Sequence, residues 1–457
     1  MIASLLLASL ATAPAASQDG GVRSGVRTSI TQRSPALGKP PAGGGLGGVL
    51  RATAGAGISA IPVPGYRRLY ELTIANTGTP WQESFLFQIP SVPASLDVPV
   101  LVVFHQFGVS HYDVEAHTGF LQEAAARGWY VVAPLGATQI NFSSIDSQIN
   151  TQVVLDWVLQ FFNVDRERIY GVGFSMGGGN VLNYGARHLD PDGAMFAAIV
   201  NHTGVVSLRD TYLSDPSARP FLELLFGGPP STHLFEYQRS SALDLDPVTR
   251  AVVAGTDLVR NLTHVPMQTW HAAGDPLAYL VAQNEILHDH MQALGGDETL
   301  VVAPGSSHDW STLDEAAVCD FLAGQRLVLP TGGAALVDQD GPYLHMRVWQ
   351  DSPGAFTPFR WQVHPDLNRF SLGMTENLKR IRVQTVACGL DPKAPLQVVM
   401  GTTDGLPDEL TFTGYDHPPS GVTRDGWPAP SWVWDAVDET IQITELNGGY
   451  HSWRILP

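Results

Sequence analysis

Four continuous apolar runs, residues 100–104, 129–133, 169–173 and 196–200, alternate along the chain with segments whose apolar residues recur at helical spacing. A strand with water on one face alternates polar and apolar side chains, so unbroken runs require a sheet covered on both faces, with helical crossovers joining parallel strands. Residues 113–127 carry Phe120, Leu121 and Ala124 at helical spacing and stop at Gly128, and the next helix turns Val153, Leu155, Trp157, Val158 and Phe161 inward. Strands over 265–271 and 299–303 flank a helix over 278–294, and a last helix spans 313–323. Ahead of this pattern, residues 68–74 and 83–89 alternate like half-buried strands and are read as an antiparallel pair. After Pro330-Thr331-Gly332-Gly333 the texture changes to alternating strands separated by turn residues, at 343–349, 359–363, 381–386, 396–400 and 441–444. The expected fold class is α/β, a mostly parallel doubly wound sheet, followed by a C-terminal β-sandwich-like domain.

At 457 residues the chain exceeds the size at which a single core stops growing, about 250–300 residues, which also points to two domains. We divide it into a signal peptide over 1–16, a flexible Gly/Pro/Ser-rich linker over 17–60, an α/β domain over 61–328 and a β-rich accessory domain over 329–457. The leader reading rests on the apolar run at 1–10 and the small residues at 11–17, with cleavage near Ala15 or Ala16 and no Lys or Arg ahead of it. A secreted or periplasmic location follows as an expectation. No later stretch approaches the roughly 20 apolar residues of a membrane span, so no integral membrane segment is expected. The formal charge of −18 is spread along the chain, which argues against nucleic acid or anionic lipid as partners. Cys319 and Cys388 stand in no metal-ligand spacing; they either pair across the two domains or remain buried free thiols. His288 and His290 lie two apart on a helix, point to different faces and cannot share a metal.

The chemistry-bearing motif is Gly173-Phe174-Ser175-Met176-Gly177. With 46 glycines in the chain, on the order of 0.3 Gly-x-Ser-x-Gly matches arise by chance, so the setting decides. Ser175 directly follows the strand at 169–172 and precedes a helix, where a sharp turn exposes the hydroxyl above the sheet and a helix start favours developing negative charge. A serine hydroxyl needs a base in hydrogen-bond reach and an acid to orient that base, and this strand-turn-helix plan places them in the order Ser, Asp or Glu, His. Asp275 stands just past a strand in Trp270-His271-Ala272-Ala273-Gly274-Asp275-Pro276. His308 stands in the loop Pro304-Gly305-Ser306-Ser307-His308-Asp309-Trp310 after the next strand. His271, inside a strand, reads as packed core. Oxyanion donors are expected at the Met176 amide and in the loop His105-Gln106-Phe107-Gly108, at the Phe107 amide first and Gln106 second.

Residues 80–325 resemble the secreted α/β-hydrolase esterases typified by polyhydroxyalkanoate depolymerases and feruloyl esterases. The likeness lies in Asn163-Val164-Asp165-Arg166-Glu167-Arg168-Ile169-Tyr170, in Gly274-Asp275-Pro276 and in the loop 305–310. The resemblance implies an α/β-hydrolase fold and a catalytic triad of Ser175, Asp275 and His308 that cleaves carboxylic esters, of small molecules or of polymers, through an acyl-enzyme. That chemistry needs no metal or organic cofactor, and activity is expected to fall below about pH 6.5, where an ordinary imidazole protonates. Such enzymes carry His-Gly where this chain has His105-Gln106, and Gln resists backbone angles that Gly permits. Two other readings stay open, a serine peptidase of the prolyl-oligopeptidase type and a non-catalytic binding protein on the same fold. The insertion between Thr203 and Leu262 holds Tyr212, Phe221, Phe226, Phe235 and Tyr237, either as a wall over the site or as the insertion's own core. Six tryptophans, at 349, 361, 427, 432, 434 and 453, form in the same way either a polymer-binding row or the C-terminal core.

Overall fold

The computed structural model describes residues 57–93, 95–446 and 449–457. The expected leader and residues 17–56 of the expected linker lie outside the described residues.

The first body is a nine-stranded sheet in the order β1-β2-β3-β5-β4-β6-β7-β8-β9. Its strands are β1 Ile58–Pro62, β2 Leu69–Ile74, β3 Glu83–Gln88, β4 Val98–Phe104, β5 Tyr130–Pro134, β6 Val164–Phe174, β7 Ala198–His202, β8 Met267–Ala272 and β9 Glu298–Ala303. Every pairing from β5 through β9 is parallel, and β1, β2 and β3 extend the sheet antiparallel from β5. The helices are α1 Asp113–His117, α2 Phe120–Arg127, α3 Ile145–Phe161, α4 Met176–Arg187, α5 Leu208–Ser214, α6 Arg219–Phe226, α7 Leu234–Arg239, α8 Ala278–Leu294 and α9 Glu315–Ala323. Successive residues of β4 serve opposite cores: Val100, Val102 and Phe104 pack with α3, α4 and α8, while Leu101 and Val103 pack with α2 and α9. Two covered faces are what the unbroken apolar runs require. This is the strand order and crossover plan of an α/β-hydrolase fold with one extra edge strand.

Two expectations need correction. The sequence pattern puts the end of the linker at residue 60, yet β1 begins at Ile58 and pairs antiparallel with β2. Only Ile58 and Ala60 of β1 pack on the core, so one short alternation at the sheet edge carries too little pattern to stand out. The single helix expected over 113–127 is two, because Thr118 is extended (φ −130°, ψ 157°) and Gly119 caps α2. The Thr118 hydroxyl donates to the Val114 carbonyl at 2.6 Å, closing the first helix with a side chain in place of a continuing amide.

After residue 330 come a seven-stranded and a six-stranded sheet, packed on a shared core that includes Phe359, Phe370, Phe412, Ile443 and Trp453. They are antiparallel except for two parallel pairs, strand Arg369–Thr375 with Leu396–Thr402 and strand Leu378–Val383 with Asp408–Thr413. Trp361 and Trp453 are buried in this core, whereas Trp427 is 77% exposed, so the tryptophans form no single row. Cys319 and Cys388 are both free thiols, pushed up to about 12 by burial.

Asp408 is fully buried, and burial pushes its carboxyl up to about 7; the Thr375 hydroxyl, donating at 2.6 Å, opposes that shift only in part. Its ordinary value is 3.8, so between about pH 4 and 7 the folded chain binds this proton more tightly than the unfolded chain. Stability from this group is therefore greatest at low pH and declines as pH rises through 7. Asp408→Asn removes the decline, and calorimetry is expected to show the variant gaining stability on wild type at pH 8 compared with pH 5.

Candidate active site

The loops after β4, β5, β6, β7, β8 and β9 all leave the carboxyl ends of parallel strands and so converge on one edge of the sheet, where open α/β sheets form their crevices. Ser175 is the single residue between β6 and α4, with φ 56° and ψ −117°. A side chain at positive φ is strained by about 1–3 kcal/mol and persists only where its surroundings fix it. Here the Ser175 amide donates to the His202 carbonyl at 2.9 Å, and its carbonyl accepts from the amides of Val205 at 3.0 Å and Gly179 at 3.2 Å. The turn also explains its glycines. A Cβ on Gly173 would sit 2.0 Å from the Gly177 carbonyl oxygen, and one on Gly177 would sit 2.2 Å from that of Phe104.

The Ser175 hydroxyl lies 2.9 Å from His308 Nε2, and His308 Nδ1 lies 2.8 Å from Asp275 Oδ2. The Asp275 side chain is 1% exposed, and its other oxygen accepts the Leu277 amide at 2.8 Å. With the acid taking up Nδ1–H, Nε2 faces the serine as an acceptor. Three residues from three loops are thus joined in one hydrogen-bond chain.

The twelve-residue helix α4 starts at Met176, so its first amides point outward beside Ser175. The Met176 and Phe107 amides donate to no acceptor among the described residues. The side chain of Gln106, the residue read as the second donor, donates to Asp113 Oδ1 at 3.2 Å, and the same carboxylate takes the Trp310 indole at 2.8 Å. Gln106 therefore ties the β4 loop to the segment that follows His308. His105 is buried with its two ring nitrogens near the carbonyls of Gln106 (2.8 Å) and Leu135 (2.9 Å). Burial holds this imidazole below its ordinary value, so the neutral ring donates to one carbonyl at a time.

Several positions important to this geometry carry no sequence signal. His202, at the tip of β7, is buried and pushed down to about 3 by burial and by the neighbouring His308; its Nε2 meets the Thr312 hydroxyl at 2.7 Å. The Phe174 ring packs against both His202 and His308, with ring centroids 4.6 Å away in each case. Glu83 on β3 is fully buried and accepts the Gly136 amide at 2.8 Å, the Ala137 amide at 2.7 Å and the Asn150 side chain at 3.1 Å. Burial pushes its carboxyl up to about 7 despite these donors. The loop it anchors reaches the elbow, since the Asn180 side chain on α4 donates to Asn141 at 2.8 Å and accepts from the Ser143 amide at 2.8 Å. Glu83→Gln places an NH2 group against an amide N–H and leaves it unmatched. We expect a loss of about 1–3 kcal/mol in stability and about tenfold in kcat, measured by denaturant unfolding and ester turnover.

The aromatic residues of the insertion after β7 do not all pack in one place. Phe226, Tyr212 and Tyr237 pack on one another as a small core of its own, and Phe235 meets Phe356 beyond the first sheet. Phe221 instead reaches the β4 loop, with its ring 5.4 Å from Phe107, which stands 5.4 Å from Phe142. His271 is buried core. His288 and His290 pair separately with Glu298 and Asp257, and no group of three or more metal-ligating side chains occurs among the described residues.

A strained serine elbow, a histidine and a buried carboxylate on converging loops of this fold define the arrangement of an α/β serine hydrolase. No known family profile and no curated protein matches the chain. Solved structures similar to it include a fluorophosphonate-binding serine hydrolase of Staphylococcus aureus, at 15% identity over 56% of this chain and 96% of that one, TM-score 0.43. A ferulic acid esterase is similar at 19% identity over 56% and 96%, TM-score 0.40. An acetyl xylan esterase from Paenibacillus is similar at 14% identity over 59% and 88%, TM-score 0.41.

Proposed function

We propose that the protein is a serine esterase that hydrolyses carboxylic esters through a covalent acyl-enzyme. The observation that carries this reading is the unbroken chain from Asp275 through His308 to the Ser175 hydroxyl at the strained elbow. In the first step His308 Nε2 takes the Ser175 proton while the oxygen attacks the ester carbonyl. The amides of Met176 and Phe107 are the donors available to the resulting oxyanion, and Asp275 stabilises the imidazolium as it forms. His308 returns its proton to the leaving alcohol. Water, deprotonated by the same nitrogen, then releases the acid and restores the serine.

The Phe107, Phe142 and Phe221 rings beside the β4 loop support an apolar or aromatic acyl group as the preferred substrate part, which accommodates both polyester and hydroxycinnamoyl substrates. Phe221→Ala is expected to raise KM for a feruloyl ester by about 10- to 100-fold, the equivalent of about 1–3 kcal/mol of lost contact, with little change for an acetyl ester. Equal effects on both esters would remove Phe221 from the acyl site. Stoichiometric labelling by a fluorophosphonate tests the nucleophile, and turnover of an anilide as fast as the matched ester would move the reading to a peptidase.

A further inference from the structure

The outer face of the seven-stranded sheet carries a surface that the esterase chemistry does not use. On strand Gly449–Leu456, Tyr450 pairs with Gly401 of strand Leu396–Thr402, and its ring lies across both Gly401 and Gly373 of strand Arg369–Thr375. A Cβ at Gly401 would come 2.7 Å from that ring, and one at Gly373 would come 2.7 Å from its hydroxyl and 2.9 Å from the ring itself. The two bare positions therefore form a seat for the tyrosine, which remains 65% exposed. An aromatic ring that covers glycines on a sheet stabilises the strands beneath it, but that role does not account for the polar side chains arranged beside it.

Cross-strand register places Arg360 opposite Gly373, next to the seat. The adjacent row is Gln362, Ser371, Val399 and Ser452, and the row beyond it pairs Arg369 and Gln397 with Arg454. The central side chains are short, so the surface is level. None of these positions is a carboxylate, although the chain as a whole carries −18; Asp425 stands at the edge of the row, where it accepts the Ser452 amide at 3.0 Å and meets His451 Nδ1 at 2.8 Å. Arg360 and Arg454 are exposed and hold no ion pair among the described residues. Charges beyond about 10 Å are screened at ordinary salt, so this local patch, and not the net charge, sets what approaches it.

We propose that this face binds an acidic polysaccharide, a chain of pyranose rings bearing carboxylates. One sugar ring lays its C–H face on Tyr450, and the Arg360 and Arg454 guanidinium groups take carboxylates of neighbouring units in paired hydrogen bonds. Gln362 and the serines face the hydroxyls of the rings between. The proposal stands apart from the esterase reading, because it requires nothing of Ser175.

The test is retention of the full-length chain by polygalacturonate in native affinity electrophoresis, beside a neutral xylan and a thymidine oligonucleotide. Retention by polygalacturonate that weakens in high salt is expected. Tyr450→Ala and Arg454→Gln should each weaken it by at least about fivefold, Tyr450→Phe should preserve it, and p-nitrophenyl ester turnover should stay unchanged. Absence of retention, equal retention by xylan, or retention indifferent to Tyr450→Ala and Arg454→Gln would each overturn the proposal. Oligonucleotide binding of equal strength would show a plain polyanion surface and overturn it too.

Discussion

Ser175→Ala is expected to lower kcat/KM for a p-nitrophenyl ester by about 10⁴-fold or more, and His308→Ala to do so to a similar degree. The size follows from the geometry. With the hydroxyl 2.9 Å from Nε2, the proposed nucleophile and base would act as one unit, so losing either should remove the covalent route, and the double variant is expected to fall little further than either single one. Asp275→Asn keeps a side chain of the same size but presents the wrong tautomer to Nε2, with an expected loss of about 10³–10⁴-fold. Stability separates a catalytic serine from a structural one. Ser175 sits at φ 56°, so Ser175→Gly relieves strain and is expected to be about 1 kcal/mol more stable than Ser175→Ala while equally inactive. Burst kinetics and thermal melts on the same samples read both effects, and wild-type turnover in Ser175→Ala would end the esterase reading.

The legible parts of this molecule are those written in local pattern. The apolar runs become β4 to β7 because burial on both faces leaves no polar positions to interrupt them. Ser175, Asp275 and His308 can be named because each lies at a loop position that strand order dictates, and the structure brings them within hydrogen-bond distance. What cannot be read depends on pairings far apart in sequence. Glu83 looks like a polar residue opening a strand, and only its amide partners at 136 and 137 show why a carboxylate is buried there. Gln106 reads as a candidate oxyanion donor, and that its side chain also ties to Asp113, seven residues on, is a contact no spacing rule encodes. The insertion's aromatics divide for the same reason, since only the fold decides that Phe221 meets Phe107 while Tyr237 stays inside.

Asp338→Ala is expected to cost about 3–5 kcal/mol of stability, more than the loss expected of Glu83→Gln. Asp338 is 3% exposed and accepts from both Arg187, at 2.9 and 2.8 Å, and Arg239, at 2.7 Å. Burial opposes its ionisation, but the two guanidinium groups outweigh burial and hold the carboxyl below its ordinary 3.8. A depressed value adds stability at neutral pH that is lost as pH falls through the folded value, so the variant's deficit should shrink in acid. Removing the carboxylate leaves two buried cations facing each other. Replacing the three together, as Arg187→Met, Arg239→Met and Asp338→Leu, should recover most of the loss, since an apolar cluster of similar volume needs no partner. Denaturant unfolding of the single and triple variants at pH 7 and at about pH 2, below the ordinary carboxyl value of 3.8, reads both effects. The two arginines also bear on the division at residue 328. Leu336 joins the core of the first sheet and exchanges backbone hydrogen bonds with the Asn261 side chain at 2.7 and 3.0 Å. A chain ending at 328 would strand Arg187, Arg239 and Asn261 without these partners. We therefore expect it to be insoluble or to melt well below the full chain, whereas two independent domains would give a soluble, fully active fragment.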